Sequence, residues 1–459
     1  MSNLNFSSEN NFKEFEKNIK EEISSCRRII DEGKIFLSME TVEETMNNCV
    51  ESENFIDGIY FIEKLLEVSP YNSDYWYKKG VLLNIDCEFG EAINSFNKAI
   101  SLSPSDVEIY LDKSISEEGL ELNDEAVKSL EMVLELDPTN DEAYYNLGMI
   151  AFGENNFIRA KECFLKTINL NNEYKEVYFD LASCSEALNE YENAIEFIDI
   201  YLETYPYNEN AWYNRGVFLS AINRKEKAVS SLDFALAIND EFAQAWFNKG
   251  IIVAELGQMH FALKCFINSY KYDSFDENTV YNIANIYSDL NNYEKAIEYF
   301  TKTINLNKEY VPAYLGRAHC YFSQGHYIFA LNDYNISVNI SKEDKDAWLG
   351  KAEIEYSLGK LNDACISYKN IIRLEPKNFE ANLKFAQILF ELGNYNDSTK
   401  SFEGCIEIDK NNSIPYYYLT RIYGIIGDPE NVKKFLVLTL NYEPNLKGRL
   451  KNEFPEIEI

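Results

Sequence analysis

The histidines and cysteines are the side chains of this 459-residue sequence that could act as nucleophiles or hold a metal ion. There are three histidines, His260, His319 and His326, and nine cysteines without a CxxC pair. A structural zinc site needs about four converging ligands, and neighbours such as His319 and Cys320 point in different directions on a helix. The motifs GxGxxG, GxxxxGK[ST], HExxH and GxSxG are absent from the sequence. We therefore expect no catalytic site, no metal site and no cofactor, and we predict that the protein is not an enzyme.

Composition narrows the classes of partner. The chain has 43 Lys plus Arg against 76 Asp plus Glu, a formal net charge of −33. Phosphate backbones and anionic lipid surfaces are bound through clustered cations, so this charge argues against both as partners. We find no apolar run of ~18 residues that predicts a membrane span, and no basic and apolar export signal at the start. Scattered, odd-numbered cysteines are typical of reduced thiols, which predicts a cytoplasmic location.

The elements that could position a binding surface recur at a fixed spacing. Alanine occurs every 34 residues, at 92, 126, 160, 194, 228, 262, 296, 330 and 364. Each 34-residue stretch contains two segments with apolar residues at helical spacing. Between these segments, nine consecutive stretches carry a residue that tolerates the left-handed conformation of a helix C-cap. These residues are Asn155, Asn189, Asn223, Gly257, Asn291, Gly325, Gly359, Gly393 and Gly427.

The repeat resembles the tetratricopeptide repeat family, in which an aromatic residue, Leu-Gly and Tyr precede an Ala, an aromatic residue and a Pro. The second unit matches this pattern at Trp76, Gly80, Ala92, Phe96, Ala99 and Pro104. Twelve units begin at residues 39, 73, 107, 141, 175, 209, 243, 277, 311, 345, 379 and 413 and cover 39–446. The resemblance implies an all-α fold, an α-solenoid wound as a right-handed superhelix of helix-turn-helix units.

The segments outside the array have separate interpretations. Residues 1–38 are predicted to form an N-terminal helical cap, because Phe12, Phe15, Ile19 and Ile23 have helical spacing. Residues 447–459 are interpreted as a polar C-terminal tail. Atypical, water-facing ends are expected of a repeat array.

Family resemblance also implies which side chains face a ligand. In this family the first helix of each unit lines a concave groove, and its fifth, sixth, ninth and twelfth positions face it. Of the seven units with a large aromatic residue at the fifth position, six supply residues that are predicted to form an apolar groove suited to peptide side chains. These residues are Tyr77, Tyr145, Phe179, Tyr213, Phe247 and Tyr281. The alternative is that they pack only against neighbouring helices.

The sixth position is asparagine in four units. The residues are Asn146, Asn214, Asn248 and Asn282. An amide side chain donates and accepts hydrogen bonds at once, so a row of them could bind a peptide backbone regardless of its sequence. The alternative is that asparagine is simply common at this position in the family.

Charge at the groove predicts the class of ligand. Family members that grip a chaperone tail by its carboxylate use a fifth-position lysine, whereas this chain has apolar residues there apart from Glu43. A carboxylate-clamp partner is therefore excluded by the sequence. The second position carries acidic residues in seven units: Glu40, Asp74, Glu108, Glu142, Glu176, Asp346 and Glu380. An acidic rim on an apolar groove predicts a basic or a neutral apolar ligand.

Three functions are compatible with these observations. The first is a non-enzymatic scaffold that binds partner proteins or extended peptides in the concave groove. A second is a structural protein that self-associates through its convex face or its ends. The third, a regulatory subunit of an enzyme, has the same sequence features as the first.

Overall fold

The computed structural model describes residues 19–453. The chain divides into two compact units, one ending at Ile238 and the other starting at Asn239. Over the described residues the regular structure is entirely helical, without a strand. The predicted all-α solenoid fold is confirmed.

The helices come in pairs that follow the 34-residue period. In the first compact unit they are α1 (Met39–Glu51), α2 (Phe55–Val68), α3 (Ser73–Ile85), α4 (Phe89–Leu102), α5 (Val107–Gly119), α6 (Asn123–Leu136), α7 (Asp141–Gly153), α8 (Phe157–Leu170), α9 (Val177–Ala187), α10 (Tyr191–Thr204), α11 (Glu209–Ala221) and α12 (Lys225–Ile238). Odd-numbered helices up to α23 are the first helices of their units, and even-numbered helices are the second.

The second compact unit continues the same order. Its helices are α13 (Ala243–Glu255), α14 (Met259–Tyr272), α15 (Glu277–Asp289), α16 (Tyr293–Leu306), α17 (Val311–Ser323), α18 (Tyr327–Ile340), α19 (Lys345–Ser357), α20 (Leu361–Leu374), α21 (Phe379–Glu391), α22 (Tyr395–Ile408), α23 (Ser413–Ile426), α24 (Pro429–Tyr442) and α25 (Lys447–Glu453).

Every first helix is followed, within two residues, by a residue with positive φ. All nine Asn and Gly residues expected there adopt it, with φ between 58° for Asn291 and 80° for Gly427. The first three units place Glu53, Cys87 and Glu121 at the same position, with φ of 58°, 61° and 59°. Side chains of this kind cost energy in the left-handed region, so units 1–3 hold the turn against a local preference.

Close helix pairs are made possible by small residues. The nine alanines of the 34-residue series are all fully buried. A Cβ added to Gly148 would lie 2.5 Å from Phe164 Cε1, and one added to Gly250 would lie 2.8 Å from Phe266 Cε1. Because the aromatic ring occupies that space, a larger residue would force the two helices of the unit apart.

Successive units are joined by the aromatic residue at the fourth position. The Trp212 indole N–H donates to the Pro206 carbonyl at 2.9 Å, and the Trp348 indole N–H donates to the Lys342 carbonyl at 2.9 Å. Each acceptor lies in the loop that leaves the preceding unit. The indole is therefore satisfied while its ring covers the junction between units.

Helical segments also cover both ends of the described chain. Residues 19–31 are helical, and Ile19, Ile23 and Cys26 are buried in the same apolar cluster as Met46 and Phe61. The Phe12 and Phe15 part of the predicted cap lies outside the described residues.

The C-terminal segment differs from the expected polar tail. Within residues 447–459, α25 is helical, and Leu450 is fully buried against Tyr417 and Leu436. The Tyr417 hydroxyl also donates to Glu453 Oε1 at 3.0 Å. A single apolar residue among charged neighbours is a weak sequence signal, which is why the docked helix was not expected.

Candidate peptide-binding groove

The ten predicted groove residues lie on first helices and are all partly buried. They belong to α3, α7, α9, α11, α13 and α15, and none is either fully buried or widely exposed. We call the surface made by the second, fifth, sixth, ninth and twelfth positions of the first helices the first-helix face. A half-buried side chain there can both pack against the core and contact a ligand.

Three clefts open at equivalent places on the first-helix face. Each lies between the start of a first helix, the loop that leaves that unit and the start of the next unit. The cleft beside α7 has a volume of about 600 Å³ and is lined by Glu142, Tyr145, Asn146, Tyr174 and Glu176 among others. Fifth-position residues therefore line a recurring concavity and not only the core.

The other two clefts are in the second compact unit. The cleft beside α13 has a volume of about 450 Å³, and its lining includes Gln244, Phe247 and Asn278. The cleft beside α19 has a volume of about 400 Å³, and its lining includes Leu349 and Lys384. Three of the ten predicted residues, Tyr145, Asn146 and Phe247, thus line these clefts.

Fifth-position rings also pack onto the aromatic core. Their ring centroids lie 5.7 Å from Phe164 for Tyr145, 5.7 Å from Phe266 for Phe247, and 5.9 Å from Phe300 for Tyr281. Tyr77 and Phe179 have similar neighbours, Phe96 at 6.2 Å and Tyr201 at 5.3 Å. Tyr213 is half-buried at the same position of α11. These rings therefore stabilise the fold through their buried edges, independently of any ligand at their exposed edges.

The four sixth-position asparagines have different surroundings. Asn146 lines the cleft beside α7. Asn282 donates its side-chain amide to the Asn278 carbonyl of its own helix at 2.9 Å. Asn214 and Asn248 are half-buried on α11 and α13. The structure thus places Asn146 in an open cleft, whereas the Asn282 amide is engaged in a hydrogen bond within its helix.

Sequence reasoning missed the carboxylates that alternate with these asparagines. The sixth position holds Asp112 on α5 and Asp180 on α9. The Tyr77 hydroxyl donates to Asp112 Oδ2 at 2.8 Å, from the fifth position of the preceding first helix. From the equivalent position, the Tyr145 side chain interacts with Asp180 and acts to lower the pKa of that carboxyl. The signal was present, since a fifth-position Tyr is followed 35 residues later by Asp at both places.

These carboxylates lie in a partly desolvated, negatively charged environment. Burial raises the pKa of Asp180 to about 6, although the hydrogen bond from Tyr145 acts to lower it. Burial likewise raises the pKa of Asp112 against the lowering effect of Tyr77. Partial desolvation, followed by the charges of Asp112, Glu108 and Asp141, raises the pKa of Glu142. The first-helix face is therefore short of positive charge at this place.

One lysine of the same face, Lys78, is already paired. Lys78 Nζ lies 3.0 Å from Glu43 Oε1 and 3.0 Å from Asp74 Oδ2. Among the residues that the structure describes, no Lys or Arg forms an ion pair with Asp112, Glu142 or Asp180.

No group of three or more His, Cys, Asp and Glu side chains within residues 19–453 is arranged to hold a metal ion. None of the helices in the same range has both the length and the apolar character needed to cross a membrane. His326 packs its ring edge-on against Phe329, with the centroids 6.3 Å apart.

Comparisons with known proteins identify the repeat. Models of the tetratricopeptide repeat match residues 73–106, 141–174 and 379–412, and a further model of this repeat matches residues 279–310. None of the curated proteins is significantly similar in sequence to this chain.

Three solved structures illustrate the matches to this chain. The C-terminal part of a TPR repeat-containing protein from Cytophaga hutchinsonii has 20% identity and a TM-score of 0.47, covering 52% of this chain and 97% of that chain. A tetratricopeptide repeat protein from Parabacteroides merdae has 15% identity and a TM-score of 0.40, covering 55% and 99%. The Naa15/Naa10 complex bound to HypK-THB has 12% identity and a TM-score of 0.38, covering 87% and 68%.

The matched stretches correspond to units 2, 4, 8 and 11 of the array. Their helix pairs have the same left-handed turn as the unmatched units, and a small residue is buried at the twentieth position of every unit except the last, which has Val432. The chain therefore carries tetratricopeptide repeats.

Proposed function

We propose that this chain is a non-enzymatic interaction scaffold that binds a partner protein, or an extended peptide, in a groove formed by its first helices. The recurring clefts carry this proposal. Each cleft is lined by a fifth-position side chain that is neither sealed in the core nor fully in water. Partly exposed apolar side chains in a concave site are the usual anchors for an incoming chain.

Asparagine at the sixth position would supply the hydrogen bonds. Asn146 lies beside Tyr145 in the largest of the clefts described for the first-helix face. An amide in that place can accept from a peptide N–H and donate to a peptide carbonyl. Asn214, Asn248 and Asn282 would act in the same way along the array, with Asn282 offering its carbonyl oxygen while its amide bonds to α15.

Charge favours a basic or a neutral apolar ligand. The clefts beside α7 and α19 both include second-position acids, Glu142 and Asp346. Cationic segments would be attracted at long range, whereas nucleic acid, anionic membranes and the carboxylate of a chaperone tail would be repelled. We therefore propose a cytoplasmic location, in which the ligand is a segment of another protein.

A capture experiment with a matched control tests the proposal. Purified protein is immobilised as wild type and as a variant with Asn146, Asn214, Asn248 and Asn282 changed to Ala. The control variant changes four exposed asparagines of second helices to Ala, namely Asn94, Asn97, Asn332 and Asn339. A partner held by wild type and by the control but lost by the folded groove variant supports binding on the first-helix face. Equal retention by all three proteins would contradict it.

Self-association is the second candidate, and exposed apolar residues on second helices favour it. Ile328 and Phe329 at the start of α18 are 77% and 60% exposed, and Ile366 on α20 is 61% exposed. Exposed apolar patches of this kind commonly mark protein contacts. Sedimentation over a wide range of concentrations tests it, because a strict monomer would eliminate this candidate. A regulatory subunit of an enzyme would bind through the same face as the scaffold.

A further inference from the structure

One section of the first-helix face combines apolar side chains with carboxylates that form no ion pair with a described Lys or Arg. It spans α5, α7 and α9 in the first compact unit. Its acids occupy the second, sixth and twelfth positions and are Glu108, Asp112, Glu118, Glu142, Glu176, Asp180 and Glu186. We call this the acidic section.

The floor of the acidic section is apolar and open. Ile115 and Met149, at the ninth position of α5 and α7, are 40% and 37% exposed. Phe152, one turn further along α7, is half-buried and packs edge-on against Phe157. Apolar side chains that remain accessible beside a cleft of about 600 Å³ provide area that an incoming chain could bury.

The tyrosine hydroxyls fix the direction of two of these carboxylates. The Tyr77 hydroxyl occupies one oxygen of Asp112, and the Tyr145 side chain interacts with Asp180 and acts to lower the pKa of that carboxyl. An ionised carboxylate has two oxygens and about four acceptor sites, so each retains capacity for a further donor. A cation arriving there would meet a carboxylate that is already oriented and partly desolvated, where a charge-assisted bond is strongest.

We infer that the acidic section selects an extended polypeptide segment in which lysine or arginine side chains alternate with apolar ones. This inference rests on the proposed function and names its ligand. The cations bind Asp112 and Asp180, and the apolar side chains cover Ile115 and Met149. Charge complementarity sets the class of partner, because a segment of neutral residues would leave both carboxylates desolvated without a counter-charge.

Binding to this section depends on pH. The side chains that interact with Asp180 are the phenols of Tyr145, Tyr174 and Tyr201 and the thiol of Cys184 on its own helix. None of these groups is cationic, so burial dominates and the pKa of Asp180 is about 6. Below that pH the carboxyl is neutral and attracts a cation only weakly. Affinity for a basic segment therefore falls as the pH is lowered from 7.5 to 5.

In the second compact unit, the equivalent positions of α13 and α15 lack these charges. On α13 and α15 the second position is Gln244 or Asn278, and the sixth is Asn248 or Asn282. This section keeps the aromatic fifth position, and we call it the uncharged section because its second and sixth positions are amides. Asp273 and Asp276, outside those positions, also line the cleft beside α13.

Synthetic peptides test the inference directly. Three 12-residue fluorescent peptides alternate Leu with Lys, Gln or Glu, and their affinity for the full chain is measured by anisotropy at pH 7.5 and 5. The site variant is Asp112→Asn with Asp180→Asn, which keeps an acceptor for each tyrosine. Its matched control is Glu131→Gln with Glu162→Gln, which removes two charges from exposed positions of α6 and α8.

We expect the Lys peptide to bind most tightly, the site variant to weaken it about tenfold, and the control to change it less than about twofold. Equal weakening by both variants would overturn the inference, because the attraction would then come from net charge. Tighter binding of the Gln peptide, lost in the four-asparagine variant, would overturn it while upholding the proposed function. Absence of binding by all three peptides would overturn the inference, and the capture experiment would still decide the scaffold role.

A second variant guards against a folding defect in the first. Tyr77→Phe with Tyr145→Phe leaves both carboxylates but removes the hydroxyls that orient them. We expect Lys peptide affinity to fall by about threefold, with the pH dependence retained. If the variant has a wild-type melting profile and an unchanged affinity, the tyrosine hydroxyls do not orient the carboxylates for binding, and this part of the inference is wrong.

Discussion

The acidic section of α5, α7 and α9 and the uncharged section of α13 and α15 share one backbone pattern. Both have an aromatic or aliphatic fifth position, a left-handed residue at the end of the first helix and buried small residues in the pair. They differ at the second and sixth positions, where Glu142 and Asp180 are replaced by amides such as Gln244 and Asn248.

This difference separates two sets of positions in the repeat, one that specifies the fold and one that varies in charge. The buried third, eighth and twentieth positions and the left-handed turn specify the helix pair, and they change little between the two sections. The exposed second position and the half-buried sixth position carry the charge. The second position changes from Glu to an amide throughout, and the sixth changes from Asp112 and Asp180 to Asn, whereas Asn146 of α7 is already an amide. Selectivity can therefore vary along the array without a change of fold.

The largest expected effect on stability comes from disrupting the buried positions that both sections share. We expect this effect to be the same in both sections. Ala160 on α8 and Ala296 on α16 are fully buried. Replacing either with Asp buries a charge without a partner, and we expect the free energy of unfolding to fall by at least about 3 kcal/mol. Because contacts in a repeat array are between neighbours, hydrogen exchange should rise in adjoining units first. Uniform loss of amide protection over the whole chain would contradict this.

Adding charge to the uncharged section sharpens the comparison. Asn248→Asp with Asn282→Asp places carboxylates at the positions that Asp112 and Asp180 occupy in the other section. We expect affinity for the Lys–Leu peptide to rise about fivefold to tenfold, measured by anisotropy at pH 7.5.

The control for this gain is an equal change of charge elsewhere in the second compact unit. Asn332→Asp with Asn339→Asp adds two carboxylates to exposed positions of α18. If this control gains as much affinity as the groove variant, net charge and not position explains the effect.

The turns that follow the first helices should give a smaller difference in stability between units 1–3 and the later units. Cys87 and Glu121 are held at φ of 61° and 59°. Changing either to Gly relieves the strain but adds flexibility to the unfolded chain, so we expect a net gain of about 0.5–1 kcal/mol. Asn155→Gly should be close to neutral, because Asn already tolerates φ of 60°. Denaturant unfolding of the three variants measures this, and an equal gain at Asn155 would refute the strain argument.

The smallest effect is the pH dependence of stability at Asp180. Its pKa is about 6 in the fold against 3.8 in an unfolded chain, so the fold favours the protonated form. The penalty for ionising it is absent below about pH 4 and complete above about pH 6. Asp180→Asn should therefore raise the melting temperature at pH 7.5 and leave it unchanged at pH 3.5.

A general charge effect is separated from this one by Glu131→Gln, which removes an exposed charge on α6. A gain for Asp180→Asn that is the same at every pH would contradict the assignment of the shifted carboxyl to Asp180.

The period of the sequence was sufficient to predict most of the fold. Gly and Asn between the paired segments have a local preference for positive φ, and the structure has positive φ at each. Glu53, Cys87 and Glu121 have no such preference, so their turns were not predictable from local sequence and depend on the packing of the helix pair. The docking of Leu450 is likewise a tertiary effect of one apolar residue.

The first-helix face was predicted only in part. Counting positions placed all ten predicted residues on first helices, but it could not show how deeply each ring is buried. The pairing of Tyr77 with Asp112 joins consecutive units, and its effect depends on a desolvation that only the structure supplies. Whether these side chains contact a ligand is still a prediction.

Site-specific photo-crosslinking tests the central claim most directly. A benzoylphenylalanine is introduced at Ile115 or Met149 on the first-helix face, or at Ile158, which is 62% exposed on α8. We predict that the Lys–Leu peptide crosslinks to the chain from positions 115 and 149 and not from position 158. Crosslinking from position 158, with none from the other two, would place binding on the second helices and contradict the account.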